Sequence, residues 1–353
     1  MKRIKRFFLF LVVVFFSTGP RAGQLVVFGD SLSDVGNVHA DSHNGGLIPD
    51  PPPPYYAGRL SNGPIWVDYL AQTLRIADPT ASQSDVAGTG YAYAGSAIGQ
   101  GTRLRPSIAI PGQTQFVSDT GKQIQQFMAA NPTGFGADQL VLFWAGSQNL
   151  LQAALTGHLI TGLEMVSRAI DELASELRMI DRNGARRVLL PNQIDASSAP
   201  YFADPALPPG IRSLLSVLTV DFNRQLSALL ATLMSDPAFQ ADLYTVDMFG
   251  LVNAVENAPS AFGFDNVTVP LITDPSAVNG DRYLFWDSIH PTTQGHRLLA
   301  DAAFRALPSP STLLLVLVAL GALAAFGAPR SSLPRTMAAR PREFVTVKSS
   351  LNF

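Results

Sequence analysis

The chain of 353 residues carries 25 lysines and arginines against 27 aspartates and glutamates, and only 15% of its residues are charged. A net charge of −2 supplies no basic stripe to neutralise a phosphate backbone, which argues against nucleic-acid binding. Hydrophobic residues make up 47% of the sequence, enough for a sizeable core in one domain, and zero cysteines exclude disulfides, thiolate metal sites, a cysteine nucleophile and lipid attachment at an N-terminal cysteine.

Residues 1–23 read as a secretory signal peptide. Lys2, Arg3, Lys5 and Arg6 precede an apolar run from Phe7 to Phe16, and small residues near Ala22 or Gly23 offer a cleavage point. The run is short for a spanning helix, so the protein is expected to be exported to the cell envelope or beyond. One folded domain is expected to fill residues 24–305. Its first strand, Leu25 to Phe28, ends in Gly29-Asp30-Ser31-Leu32, a tight turn that can project the Ser31 hydroxyl into a cleft as nucleophiles require. Capping of the next helix by Asp30 or Ser31 is the other reading.

From His39 to Tyr56, Gly45-Gly46 and Pro51 to Pro54 predict an irregular or polyproline excursion that walls a cleft. Asp34, His39, Asp41 and His43 lie close together there, but the helix-borne spacing of a metal site is absent, and no metal is expected. Apolar Ile65, Leu70 and Leu74 predict a helix over Pro64 to Leu74. Strands follow at Leu140 to Trp144, Val188 to Leu190 and Leu243 to Val246, with helices at about Ile160 to Ile180 and Ile211 to Met234. Strands alternating with long helices predict an α/β sandwich around a parallel sheet, and Ser31 would then lie beyond a strand's carboxyl end, where ligand sites gather. Tyr55, Tyr56, Trp66 and Trp144 either line a substrate pocket or pack in the core.

Trp286-Asp287-Ser288-Ile289-His290-Pro291 supplies the partners a serine needs: the His290 imidazole to take its proton, and Asp287 on the same turn to hold the ring. His296, on a helix expected after Pro291, and His158, between helices, read as structural or solvent-facing. Beyond the domain, an uncharged apolar run from Leu313 to Ala328 is followed by Arg330, Arg335, Arg340 and Arg342. With its flanks, 306–329 is long enough to cross a bilayer, and the arginines place the basic tail, 330–353, on the cytoplasmic side. A membrane contact through this segment is therefore expected.

These motifs resemble those of the GDSL, or SGNH, family of serine esterases and lipases. Gly29-Asp30-Ser31-Leu32 stands as its first motif and Asp287-Ser288-Ile289-His290-Pro291 as its last. Between them Gly58 to Trp66 looks like a substrate-side loop segment, and Arg186 to Pro191 and Phe222 to Leu226 also match in order. The resemblance implies a three-layer α/β/α sandwich with a mainly parallel central sheet, a Ser31, Asp287, His290 triad, and no metal or organic cofactor. It further implies three oxyanion donors: the backbone N–H of Ser31, that of Gly95 in Gly90 to Ala97, and a side-chain amide from a Gly-x-Asn-Asp block. This chain instead reads Gly146-Ser147-Gln148-Asn149, so Gln148 takes the donor position, with Asn149 as second choice if the turn shifts by one residue. The extra methylene of glutamine predicts a less preorganised donor. Asp34 and Asn37 match the stretch after the nucleophile and read as braces for its turn. The C-terminal arrangement resembles a PEP-CTERM-type sorting signal, with Ser309 where that signal carries glutamate; a plain membrane anchor is the alternative.

The expected function is an exported serine hydrolase cleaving carboxylic esters, with lipid, short-chain acyl and O-acetyl substrates all open. A surface glycan-binding or adhesion protein with weak catalysis is the other class. Gln148 alone supports it, and the joint presence of Ser31, Asp287 and His290 argues against it.

Overall fold

The structure, a computed structural model, describes residues 23–44, 50–82, 88–106 and 114–308. The signal segment up to residue 22, Gly45-Gly46, and the apolar run and basic tail beyond 308 lie outside the described residues. In chain order the elements are β1 (Gln24–Gly29), α1 (Asn37–Asn44), α2 (Trp66–Leu74), β2 (Thr102–Pro106), β3 (Thr114–Ser118), α3 (Thr120–Ala130), β4 (Gln139–Trp144), α4 (Ser147–Leu155), α5 (Leu159–Arg182), β5 (Arg187–Pro191), α6 (Ile211–Ser235), β6 (Asp242–Val246), α7 (Met248–Asn257) and α8 (Thr293–Ala306).

Strands β1, β4, β5 and β6 form a parallel sheet in that spatial order, and β2 and β3 form a separate antiparallel pair. The apolar runs of β1, β4 and β5 are nearly continuous because both faces are covered, whereas β6 at the edge buries only Val246. Side chains alternate along β1: Val26 and Phe28 enter one buried cluster with residues of α3, α4, α5 and α6, whereas Leu25 and Val27 enter another with residues of α2 and α8. The result is the expected α/β/α sandwich. Outside β1, the segment around Gly90 adds a parallel bridge, with Val27 N–H donating to the Thr89 carbonyl at 2.9 Å and Tyr91 N–H to that of Val27 at 2.7 Å.

The stretch from His39, expected to be irregular, opens as helix α1. The Asp34 carboxylate causes this by accepting the N–H groups of Gly36 at 2.8 Å and Asn37 at 2.7 Å, capping the first turn. Residues 50–56 then follow without regular structure. The hairpin β2–β3 and helices α3, α4 and α7 were not marked by the hydrophobic pattern. All four sheet strands point their carboxyl ends toward one rim. The segments that follow them bring Ser31, Gln148 in the first turn of α4, Gln193 and helix α7 to that rim.

Candidate active site

Gly29 closes β1 where an added Cβ would lie 2.2 Å from the Trp144 carbonyl oxygen, so the strand can reach its neighbour this closely only without a side chain. The buried Gln123 side chain clamps the same residue, accepting Gly29 N–H at 2.9 Å and donating to Gly29 O at 2.9 Å. The turn that follows is tied by Ser33 N–H to Asp30 O at 3.0 Å and Leu32 N–H to the Asp30 carboxylate at 3.1 Å. Ser31 stands partly exposed at its tip.

Asp30 itself is buried and its other oxygen accepts the Ser147 hydroxyl at 2.5 Å, joining the serine turn to the first turn of α4. Burial pushes the Asp30 carboxyl up, opposed by the Ser147 hydroxyl, the Leu32 N–H and the nearby His290. Its place at a helix N-terminus suits a negative charge. Asp34 accepts Ala94 N–H at 2.8 Å besides the α1 cap, so one carboxylate links the nucleophile turn to the residue before Gly95. Burial raises its carboxyl too, against the pull of these backbone donors. Asn37 donates to the carbonyls of Gly90 and Ala92, both at 2.8 Å, from the same side. Asp34 and Asn37 therefore brace the turn, as their positions suggest.

The turn after residue 286 binds itself around Asp287. Its Oδ1 accepts Ile289 N–H at 2.9 Å and His290 N–H at 2.7 Å, while Oδ2 lies 2.8 Å from His290 Nδ1. Burial alone would push this carboxyl up; the positive charge and N–H groups of His290, with the Ile289 N–H, outweigh it and hold the group at about 2. With Nδ1 facing the carboxylate, Nε2 is the nitrogen left to act on a substrate-side group. Ser31 and His290 line one cavity, and no hydrogen bond joins them. Nucleophile–base contacts of this kind are commonly loose in empty sites and tighten with substrate.

Gly95 and Gln148 line the same cavity. Gly95 has φ +87°, and its N–H, like that of Ser31 and the Gln148 amide, donates to none of the described residues. Asn149 is placed differently: its Oδ1 accepts Ile98 N–H at 2.9 Å and its Nδ2 donates to Ile98 O at 3.1 Å, a paired bridge that keeps the amide off the cavity wall.

Other expected positions separate. Trp66 and Trp144 pack edge to face in the core, 5.5 Å apart, rather than lining the cavity. Of the Gly58–Trp66 segment only Leu60 reaches the cavity. The rest holds the histidine turn, with the Ser61 hydroxyl donating to Pro291 O at 2.9 Å and Asn62 accepting Thr293 N–H at 2.8 Å. His296 is buried on α8, and burial, then the nearby charge of His290, hold it down to about 3. His158 is exposed at the start of α5. His39 contacts Pro51 O, and among the described residues no three acidic or imidazole side chains gather as a metal site.

The cavity measures about 440 Å³ and runs over the carboxyl ends of the sheet, from Ser31 past Leu150 and Phe202 to Val252 and Val255 of α7. Its walls are mainly aliphatic. Sequence reasoning missed Gln123 and Arg105, and offered Tyr55 only as a pocket or core residue without its contact to Asp287. The Tyr55 hydroxyl donates to Asp287 Oδ2 at 2.9 Å, and Arg105 pairs with buried Asp50 at 2.5 Å while lying over Gly95. Only the proline-rich context of Tyr55 hinted that its loop would face the site.

The model of the GDSL-like lipase/acylhydrolase family matches residues 25–303, and the chain belongs to that family. The family match makes the chain a carboxylic ester hydrolase. A phosphatidylcholine-sterol acyltransferase of Aeromonas hydrophila is 25% identical over 327 residues, covering 80% of this chain and 90% of its own. A GDSL esterase/lipase of Arabidopsis thaliana is 26% identical over 330 residues, covering 82% and 86%. Among solved structures, an acetylxylan esterase from Geobacillus stearothermophilus aligns with a TM-score of 0.41 at 13% identity, over 82% of this chain and 97% of that one.

Proposed function

We propose that the protein hydrolyses esters of aliphatic acyl groups longer than acetyl, through an acyl-enzyme on Ser31. The observation that carries this reading is the meeting of the Ser31 hydroxyl, the Asp287-held His290 and three N–H donors with no acceptor among the described residues, at Ser31, Gly95 and Gln148, in the lining of one largely aliphatic cavity. At about 30 Å³ per water-sized group, 440 Å³ accommodates on the order of a dozen methylene-sized groups, far more than an acetyl needs. The name of the Aeromonas relative, an acyltransferase acting on phosphatidylcholine, points the same way.

In the first step His290 Nε2 takes the Ser31 proton as Oγ attacks the ester carbonyl, and Asp287 stabilises the imidazolium. The N–H groups of Ser31 and Gly95 and the Gln148 amide receive the developing oxyanion. The imidazolium then protonates the departing alkoxide, the acyl chain stays in the aliphatic cavity, and water activated by His290 releases it. Export, and tethering through the 306–329 segment, complete the proposal; the basic start, the apolar run and the arginine-rich tail support them.

A p-nitrophenyl ester series from acetate to palmitate, measured on wild type and Ser31→Ala, tests this function. The expected result is kcat/KM rising by up to about fourfold per added methylene until the cavity is full, from about 0.8 kcal/mol per buried methylene, and loss of activity in the variant. Peak activity on acetate overturns the acyl-chain assignment. Turnover by Ser31→Ala at the wild-type rate overturns the nucleophile.

A further inference from the structure

The Asp287 carboxylate has a donor that does not belong to its own turn. Oδ1 is filled from within that turn, but Oδ2 is shared between His290 Nδ1 at 2.8 Å and the hydroxyl of Tyr55 at 2.9 Å. Tyr55 comes from the irregular 50–56 segment, 232 residues away in the chain, so this contact exists only because the fold builds it. Its ring stands edge to face with Trp286, the residue before Asp287, at 5.7 Å between centroids. The segment is anchored at both ends: Asp50 pairs with buried Arg105, whose side chain lies over Gly95, and Tyr56 N–H donates to Ser61 O at 2.9 Å. Ser61 in turn donates to Pro291 O. Burial, followed by the Asp287 charge, holds the phenol far above its ordinary range, so it stays a donor.

We infer that Tyr55 is a positioning residue for catalysis, its hydroxyl fixing the Asp287 carboxylate that orients His290. This rests on the Ser31–His290–Asp287 reading above. Without the hydroxyl, Oδ2 loses its one donor from outside the turn, and the carboxylate is held only by the Ile289 and His290 groups of its own turn, so carboxylate and imidazole follow whatever motion that turn has. A phenol donor also draws off part of the carboxylate's negative charge. Its removal favours the imidazolium, so the low-pH limb of activity moves to higher pH. The other titratable or charged groups facing the pair are Asp30, which acts on His290, and His296; Asp50 and Arg105 face Tyr55 itself.

The test uses the full-length chain with a short soluble p-nitrophenyl ester. Tyr55→Phe keeps the ring against Trp286 and removes only the hydroxyl. It is expected to lower kcat roughly tenfold, the scale of one hydrogen bond to a charged group, with KM unchanged and the acidic limb of kcat/KM displaced upward in pH. In an Asp287→Ala background the same substitution should cost nothing further. Wild-type kcat and pH profile in Tyr55→Phe overturn the inference, as does an equal loss in the Asp287→Ala background or an effect on KM alone. If Tyr55→Phe fails to fold, 3-fluorotyrosine at position 55 keeps ring and hydroxyl while strengthening the donor. The acidic limb should then move to lower pH, and an unmoved limb overturns the inference. Ser31→Ala assayed beside these variants reports separately on the nucleophile: activity surviving there removes the serine mechanism, whereas a dead Ser31→Ala with an unperturbed Tyr55→Phe removes only the role of Tyr55.

Discussion

Gly95→Ala concentrates two consequences of the site's construction in one methyl group. The residue sits at φ +87°, where an L side chain costs about 1–2 kcal/mol. The new Cβ would also lie 2.7 Å from Arg105 Cδ and 2.9 Å from Cγ, so the arginine must move. Arg105 is only 5% exposed and its partner Asp50 only 1%, and a buried pair that is pulled apart loses about 3–5 kcal/mol. Partial relaxation of the arginine stem leaves an expected total of about 3–5 kcal/mol, which for a domain of this size lowers Tm on the order of 10 °C. The same displacement tilts the Gly95 N–H away from the position it would offer an oxyanion, and loss of one such donor lowers kcat about 10²- to 10³-fold. Thermal denaturation monitored by circular dichroism and esterase kinetics well below the lowered Tm separate the two effects. Unchanged Tm would refute the packing argument. A large drop in Tm with wild-type kcat would instead show that the Gly95 N–H is not an oxyanion donor.

Gln148→Ala should lower kcat by up to about 10²-fold and Gln148→Asn should preserve or raise it, whereas Asn149→Ala should act on stability through the lost Ile98 bridge; kcat and Tm of the three variants check the assignment, and a kcat loss in Asn149→Ala alone would reverse it. Burial pushes Glu176 up to about 8, against donors from Thr120 and Gly99, so the folded state holds a proton that the unfolded chain releases near 4.5. Stability contributed by this group is therefore present below about pH 4.5 and lost as pH rises toward 8, and Glu176→Gln should flatten the fall of Tm over that window; an unchanged slope would remove Glu176 as its cause. Asp287 has the opposite sign: held at about 2 by the forces around it, it stabilises the fold above about pH 4 and loses that contribution as pH falls through 2, which Asp287→Ala should reveal as a shallower acid transition in urea denaturation. A chain ending at Leu307 should leave the membrane fraction with its esterase activity intact, and retention in the pellet would disprove tethering by 306–329.

What could be read from the sequence and what could not divide along a physical line. The strands β1, β4, β5 and β6 and the long helices α5 and α6 announce themselves because each is buried on a face or on both, and burial writes its period into the chain. Ser31, Asp287 and His290 were legible for a second reason: each sits in a short local motif whose turn is closed by near-neighbour hydrogen bonds, such as Asp287 accepting from Ile289 and His290. Helix α1 escaped because its cap, Asp34, lies before a stretch whose glycines and prolines dominate the local pattern. The residues that hold the site together were hidden for another cause. Gln123 reaches Gly29 across 94 residues and Tyr55 reaches Asp287 across 232, and a single polar side chain leaves no periodic trace of so distant a partner. The departure at Gln148 shows the difference most sharply. Sequence put Gln148 first on an ungapped placement and Asn149 second, should the turn shift by one residue, because both carry an amide in the same block. The Ile98 backbone, brought alongside α4 by the fold, occupies one of the two amides and leaves the other facing the cavity.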